Sequence, residues 1–288
     1  MIRAALAMTL ALAASPACAQ DAHRLRWSAD WSRVHPAAYA AAGVAVGGAL
    51  VFDSLVDPGP EALVRGPEAF DAMWRERLMA PRTEDRERAA TLSDVLLVAL
   101  LSWPLADSIF VAGMGDQNTD VFWQLTSMAM ESYAADLLIA TVAKQLVARE
   151  RPHGARCTLE DRLEDPARCG PGGRLRSFYS GHASAAFNAA GLVCVAHAHL
   201  PLYGSEAADW FACGIALITA GTVATLRVIA DRHYASDVLI GSVVGLLTGF
   251  LMPFLLHFQW DPDGTSTDPA ASAAPLRTAP AFSLGGSF

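Results

Sequence analysis

The chain has 288 residues, of which 53% are hydrophobic and 17% are charged, and its formal net charge is −8. With a mean hydropathy of +0.29, this composition is too apolar for a disordered chain and unusual for a soluble enzyme, so we expect a membrane-associated protein. The chain lacks the surplus of Lys and Arg with which proteins hold nucleic-acid phosphates, which argues against a nucleic-acid partner.

The N-terminus has the pattern of a secretory signal peptide. One basic residue precedes an apolar run over 4–14, and Ala17-Cys18-Ala19 has the small-x-small spacing of a cleavage site. We predict a cleaved signal peptide over 1–19, with an uncleaved signal anchor and lipidation at Cys18 as the alternatives.

Export would place the remaining chain in an oxidising compartment, where disulfides persist. There Cys157 and Cys169 could pair across a short polar loop. Cys194 and Cys213 lie in apolar runs, which favours buried thiols at these two positions.

Two regions flank the predicted core. The segment 20–90 contains a weak apolar helix over 37–52, whose crossing of a membrane is open, and a charged connection with a short helix over 69–79. We assign no chemistry to this connection. The tail 259–288 is rich in Pro, Gly, Ser and Ala and is predicted to be disordered.

Residues 91–258 are predicted to form an all-α, membrane-associated bundle of about five to six core helices. The run 238–256 is uncharged and close to the ~20 residues that span a bilayer. Within it Gly241, Gly245 and Gly249 recur at a spacing that lets helices pack closely. The other apolar runs cover 95–114, 121–148, 183–200 and 210–229.

The first group of candidate site residues is Lys144 and Arg151, which lie on nearly the same face of a helix that Pro152 must end. Two cations therefore point out of one helix end, where they can bind an anion. By themselves such residues are more typical of cations that complement the helix dipole or snorkel to the membrane surface.

The second group is Ser180-Gly181-His182, which directly precedes an apolar helix. Ser180 can cap this helix, and its N-terminal N–H groups beside Gly181 form a natural oxyanion site. His182 can supply a proton at near-neutral pH. The simpler alternative is a Ser cap with an incidental His.

The third group is Arg227, His233 and Asp237. His233 and Asp237 are four residues apart, which makes them adjacent on one helical face. A carboxylate bonded to one ring nitrogen fixes the tautomer and leaves the other nitrogen free as a nucleophile. A local surface ion pair at a helix start is the alternative.

Together the three groups resemble the type 2 phosphatidic acid phosphatase and vanadium haloperoxidase superfamily, over roughly 121–256. The pattern that carries the resemblance is Lys144-x6-Arg151-Pro152, Ser180-Gly181-His182 and Arg227-x5-His233-x3-Asp237. The resemblance implies a helical bundle and a phosphatase.

The resemblance also implies a role for each matching position. His233 would attack phosphorus to form a phosphohistidine, Asp237 would orient it, and His182 would protonate the leaving oxygen. The phosphate oxygens would be bound by Lys144, Arg151, Arg227, Ser180 and the Gly181 amide.

A phosphoryl group in transfer spreads its charge over three oxygens, which fixed positive donors stabilise without a metal. The sequence has no Asp/His cluster with metal-ligand spacing, and His197 and His199 fit a polar helix end better than a metal site. We therefore predict a metal-independent phosphatase without a cofactor.

Two positions depart from the superfamily's usual pattern. Tyr179 stands where Pro is usual, and Leu226 where Ser is usual. Tyr179 could reshape the loop or contact a leaving group, and Leu226 removes one possible hydrogen bond to phosphate. We expect that any effect of these two departures falls on the substrate range and the rate of the enzyme.

The expected substrate is a lipid phosphate or diphosphate, because apolar helices beside a cationic site suit amphiphiles. Arg174 and Arg176, in the loop 153–176, could contact a headgroup, with a merely solvated loop as the alternative. The alternatives are a soluble-substrate periplasmic acid phosphatase, a vanadate-dependent haloperoxidase and a catalytically silent lipid-binding protein. The uncharged run 238–256 argues against the soluble branch.

The expected location is a bacterial inner membrane with the active site facing the periplasm. If the signal is cleaved and every apolar run spans, the site faces the cytoplasm instead, as the arginines of the charged connection favour. The periplasmic arrangement requires that 37–52 does not span. The resemblance and the possible Cys157–Cys169 disulfide favour it.

Overall fold

The structure is a computed structural model that describes residues 24–56, 61–165 and 169–258. The predicted signal peptide over 1–19 and tail over 259–288 lie outside these residues. The described part contains helices and no β-strand, which confirms the all-α prediction. The helices are α1 (Pro36–Leu55), α2 (Ala69–Leu78), α3 (Thr83–Gly115), α4 (Thr119–Val147), α5 (Leu159–Glu164), α6 (Pro171–Arg174), α7 (Gly181–His199), α8 (Glu206–Ile229) and α9 (Ala235–Phe258).

The long helices run alternately up and down the bundle. α1, α4 and α8 run toward one end, and α3, α7 and α9 run back from it. Helix ends follow local signals: Asn118 caps α4, and Ala148 ends it with a left-handed φ of 42°. α3 starts at Thr83, upstream of residue 91, where the helical bundle was predicted to begin. The short helix expected over 69–79 is present as α2.

α7 is the central helix and is buried along most of its length, between α3, α4, α8 and α9. The glycines of α9 allow its backbone to approach α7 closely. A Cβ on Gly245 would collide with the carbonyl of Ser184, and one on Gly249 with that of Asn188. This confirms that the glycine spacing serves close helix packing.

Four of the described helices, α1, α3, α8 and α9, are long and apolar enough to cross a membrane by length and composition. α1 buries little of its surface, and Val44 and Leu55 remain 74% and 78% exposed. An apolar helix with such exposed side chains needs lipid around it. The chain is therefore a membrane protein, as its composition predicted.

Two disulfides are present among the described residues. Cys157 and Cys169 are bonded, as expected for the polar loop. Cys194 and Cys213 are also bonded, so the interpretation of these two as free buried thiols was wrong. The reason is that α7 and α8 are direct antiparallel neighbours, which brings the two Cα atoms within 4.5 Å.

Candidate active site

The predicted site residues all lie at the end of the bundle where α4 and α8 finish and α7 and α9 begin. Lys144 is in the last turn of α4, and Arg227 is in the last turn of α8. Ser180 caps α7, and Asp237 is in the first turn of α9. The fold therefore gathers three groups that are far apart in the sequence.

Lys144 and Gly181 are in direct contact at the start of α7. A Cβ built on Gly181 would lie 2.5 Å from Nζ of Lys144, so a glycine here leaves room for the ammonium group. Ser180 accepts a hydrogen bond from the N–H of Ala183, and its own N–H donates to the carbonyl of Asp237 at 3.1 Å. An anion at this point would meet both the ammonium group and a helix N-terminus.

His233 is buried in the loop between α8 and α9, with 3% of its surface exposed. Its Nδ1 lies 2.8 Å from the carbonyl oxygen of Ser177. A carbonyl can only accept, so Nδ1 carries the proton and Nε2 keeps the free lone pair that a nucleophile needs.

The orienting bond predicted from Asp237 is not formed. Its Oδ2 is 4.0 Å from Nδ1 of His233, beyond hydrogen-bond distance, and the Ser177 carbonyl takes its place. The prediction failed because His233 precedes Tyr234, the N-cap of α9. The four-residue spacing therefore does not place the two side chains on one helical face.

Asp237 instead contacts the imidazole indirectly, through Ser177. It is fully buried, and its Oδ2 accepts from the Ser177 hydroxyl at 2.6 Å and from the N–H of Tyr234 at 3.0 Å. Its Oδ1 accepts from Nη1 of Arg149 at 2.6 Å. Asp237 thus holds Ser177, the residue whose carbonyl orients the imidazole of His233.

Sequence reasoning missed Asp94, which projects from α3 into the site. Its Oδ1 lies 2.8 Å from Nε2 of His182 and accepts from Nη1 of Arg227 at 3.0 Å. Arg227 also donates to the hydroxyl of Ser93 at 2.9 Å. No local signal identifies Asp94, because its partners lie 88 and 133 residues further along the chain.

The site carries a surplus of positive charge on one buried and two half-buried side chains, Arg227 and the pair Lys144 and Arg151. Burial, followed by the charge of Arg151, lowers the pKa of Lys144 to about 8. Burial and the charge of Arg227 lower the pKa of Arg151 to about 10. Burial, aided by the same cations, lowers the pKa of His233 well below its ordinary value. A bound anion would oppose each of these shifts, so the site favours one.

Two guanidinium groups here form no ion pair within the described part of the chain. Nε of Arg151 donates to the carbonyl of Arg176 at 3.4 Å. Arg232, directly before His233, lines a small polar pocket with Arg86 and His153, and its charge helps to lower the pKa of Arg151. Arg232 is a second site residue that sequence reasoning did not identify.

The loop between α4 and α7 lies beside the site. Arg174 pairs with Glu150 at 2.7 Å, and Arg176 pairs with Asp53 at 3.0 Å. A cavity of about 330 Å³ lies between this loop and the start of α3, and residues of both line it. The Cys157–Cys169 disulfide forms part of its wall.

The two departures from the superfamily's pattern leave the site's cations in place. Tyr179 is 2% exposed, and its hydroxyl lies near Ser184 and Asp136 in the bundle interior. Leu226 packs against a small alanine cluster that includes Ala230.

These features define an all-α membrane protein with a cluster of cations and a buried imidazole at one end of its bundle. Within the described ranges, no three His, Cys, Asp or Glu side chains are grouped so that they could hold a metal ion. Residues 122–261 match the family model of the PAP2 superfamily. This match supports membership of the PAP2 superfamily and, with it, phosphatase activity.

One solved structure is similar, a transmembrane PAP2-type phosphatidylglycerolphosphate phosphatase from Bacillus subtilis. It shares 20% sequence identity over 76% of this chain and 94% of its own, with a TM-score of 0.45. No curated protein sequence matches the chain significantly.

Proposed function

We propose that the protein is a metal-independent phosphatase that hydrolyses a lipid phosphate or diphosphate through a phosphohistidine intermediate. The observation that carries this proposal is the state of His233. Its proton is held on Nδ1 by the Ser177 carbonyl, and its Nε2 lone pair is free in a setting dominated by Lys144, Arg151 and Arg227. A neutral imidazole among fixed cations suits attack on a phosphoryl group.

In the first step, Nε2 of His233 forms a bond to phosphorus while the bond from phosphorus to the leaving oxygen breaks. The three cations stabilise the charge on the phosphoryl oxygens. His182 donates a proton to the leaving oxygen through Nδ1, because Nε2 is occupied by Asp94.

His182 must therefore be protonated when substrate is bound. Burial and the charge of Arg227 lower the pKa of His182 to about 4 in the free protein. A phosphate dianion raises this pKa, so His182 takes up a proton as the substrate binds. In the second step a water attacks phosphorus, gives a proton to His182, and releases inorganic phosphate and neutral His233.

The preference for a lipid rests on the position of the site. It lies at the end of a bundle whose apolar side chains on α1, α3, α8 and α9 are exposed, so lipids would surround the bundle that carries the cations. A phosphate at the polar end of a lipid can reach the site while its chains stay in the bilayer.

The proposal is tested by measuring phosphate release from the purified protein in EDTA. The panel contains lipid monophosphates, a lipid diphosphate and a soluble aryl phosphate, with His233→Ala beside the wild type. We expect lipid turnover that persists in EDTA and disappears in the variant. Preference for the soluble ester would favour an acid phosphatase, loss of activity in EDTA would contradict metal independence, and absence of turnover would favour a silent lipid-binding protein.

We also propose an inner-membrane location with the site facing the periplasm, supported by the Cys157–Cys169 disulfide on the site's side of the bundle. The structure makes this orientation depend on α1. If α1 crosses the membrane, a periplasmic site requires residues 24–35 to lie in the cytoplasm, which is incompatible with a leader cleaved in the periplasm. Labelling of reduced Cys157 by an impermeant thiol reagent in cells with an intact inner membrane would support the periplasmic site. Labelling only after disruption of the inner membrane would contradict it.

A further inference from the structure

Asp71 is a fully buried carboxylate on α2, upstream of the family-matched residues 122–261. Its Oδ2 accepts from Nη2 of Arg149 at 2.6 Å and from the hydroxyl of Ser236 at 2.7 Å. Its Oδ1 accepts from the N–H of Ser236 at 2.8 Å. Both oxygens therefore contact the elements that form the site.

Arg149 joins this carboxylate to the one behind the nucleophile. Arg149 as a whole is 5% exposed. Its guanidinium group donates to Asp71 from Nη2 and to Asp237 from Nη1. The same group lies over the ring of Tyr234 at 4.5 Å. Two carboxylates, one on each terminal nitrogen, fix a planar guanidinium more tightly than one can.

The connection continues without a gap to His233. Asp237 accepts from the hydroxyl of Ser177, and the carbonyl of Ser177 accepts from Nδ1 of His233. The main chain adds a second tie, because the N–H of Ser177 donates to the carbonyl of Arg149 at 3.0 Å. Arg149 thus holds Ser177 both directly and through Asp237.

We propose that Asp71 is a positioning residue for the nucleophile. By fixing Arg149 it fixes Asp237 and Ser177, and so sets the direction in which Nε2 of His233 points. α2 then serves catalysis from outside the family-matched region. The inference rests on the proposed function, because it assigns Asp71 to the step in which His233 attacks phosphorus.

The test compares Asp71→Asn with Asp71→Glu and with Glu76→Gln, which removes an exposed carboxylate from the same helix. The rate constant for phosphohistidine formation is measured in single turnovers with enzyme in excess, where it does not depend on the active fraction. We expect Asp71→Asn to lower it by about 10²-fold, since misplacing a reacting group by ~1 Å costs that much. The inhibition constant of inorganic phosphate should stay within about twofold, Asp71→Glu should recover part of the rate, and Glu76→Gln should match the wild type.

An Asp71→Asn rate constant equal to that of an active wild type would overturn the inference alone. Equal losses of rate and of phosphate affinity, as a general structural defect gives, would also overturn it. If Asp71→Asn does not fold, Ser177→Ala takes its place in the test, because it removes the hydroxyl held by Asp237 and keeps the carbonyl. A selective loss of rate in this variant supports the inference. An unchanged rate overturns it. A wild type that releases no phosphate would remove the proposed function first.

Discussion

Buried histidines lie at both ends of the bundle, in opposite surroundings. His233 has one nitrogen on a carbonyl, one nitrogen free, and cations around it. His197 has Nδ1 2.7 Å from Asp209 and Nε2 3.2 Å from Asp107, so both of its nitrogens are occupied by carboxylates. Tyr203 closes this second cluster by donating to Asp107 at 2.8 Å.

These surroundings distinguish a histidine that is available for catalysis from one that stabilises the fold. An imidazole between two carboxylates has no lone pair to offer and ties together the helices that carry its partners, here α3, α7 and α8. An imidazole with a free nitrogen among cations has a lone pair and an anion site beside it. Burial is the same in both, with 3% of each residue exposed, so burial alone cannot separate them.

The largest expected effect is that of His233→Ala. Removing the nucleophile should lower kcat by about 10³-fold or more, as removal of a covalent nucleophile generally does. Inorganic phosphate should still bind, because Lys144, Arg151 and Arg227 remain. Steady-state kinetics together with phosphate inhibition measure both. A kcat within tenfold of the wild type would contradict the assignment of His233.

His197→Ala is the matched variant at the other end. It leaves Asp107 and Asp209 buried without their common partner, which should lower the free energy of unfolding by about 3 kcal/mol or more. The kcat per folded molecule should not change. Thermal unfolding and active-site titration separate the two quantities, and a large loss of kcat in the folded fraction would contradict a purely structural role for His197.

Asp94→Ala should have the next largest effect. It removes the carboxylate that contacts both His182 and Arg227, and we expect kcat/KM to fall by about 10- to 100-fold. Asp85→Ala is the control, because Asp85 is on the same helix and pairs with Arg82 at the surface. Equal activities of the two variants would show that Asp94 has no part in the site.

Gly181→Ala should have a smaller effect. The new Cβ would lie 2.5 Å from Nζ of Lys144, and the flexible ammonium end must move away from the start of α7. We expect kcat/KM to fall by about tenfold, mainly through a higher KM, with unfolding unchanged. Gly214→Ala is the control, since a Cβ there meets nothing within 4 Å. A KM equal to that of the control would mean that Lys144 does not bind phosphate.

The smallest effect is a dependence on pH. A pKa of about 8 for Lys144, lowered by burial, means that the ammonium charge is present below this pH and lost above it. We therefore expect kcat/KM to decline by several-fold as the pH rises from 8 to 9. Lys144→Arg keeps its charge in this range and should flatten the decline. An identical decline in the variant would assign it to another group.

The local parts of the site were predictable from the sequence. Lys144, Ser180 and Arg227 lie at helix ends, and Pro152 and the apolar runs mark those ends in the sequence itself. The relative positions of the three groups could be inferred from the resemblance, because their spacing is specific in combination.

The groups that support the chemistry were not predictable. The Ser177 carbonyl is a main-chain atom and leaves no mark in the choice of residue. Asp71 and Asp94 act over long separations in sequence, and Asp71 belongs to a connection to which no chemistry was assigned. The Cys194–Cys213 bond depends in the same way on which helices become neighbours. Each of these contacts exists only after the helices have packed.

The most direct test of the central claim is to trap the phosphoryl-enzyme. Wild type, His233→Ala and His197→Ala are each mixed with a ³²P-labelled lipid phosphate and quenched in alkali, in which phosphohistidine is stable, and a parallel sample is treated with acid, which hydrolyses it. We expect an alkali-stable, acid-labile label on the wild type and on His197→Ala, and none on His233→Ala. Label of equal amount on His233→Ala, or label lost from His197→Ala while that variant stays folded, would contradict the account.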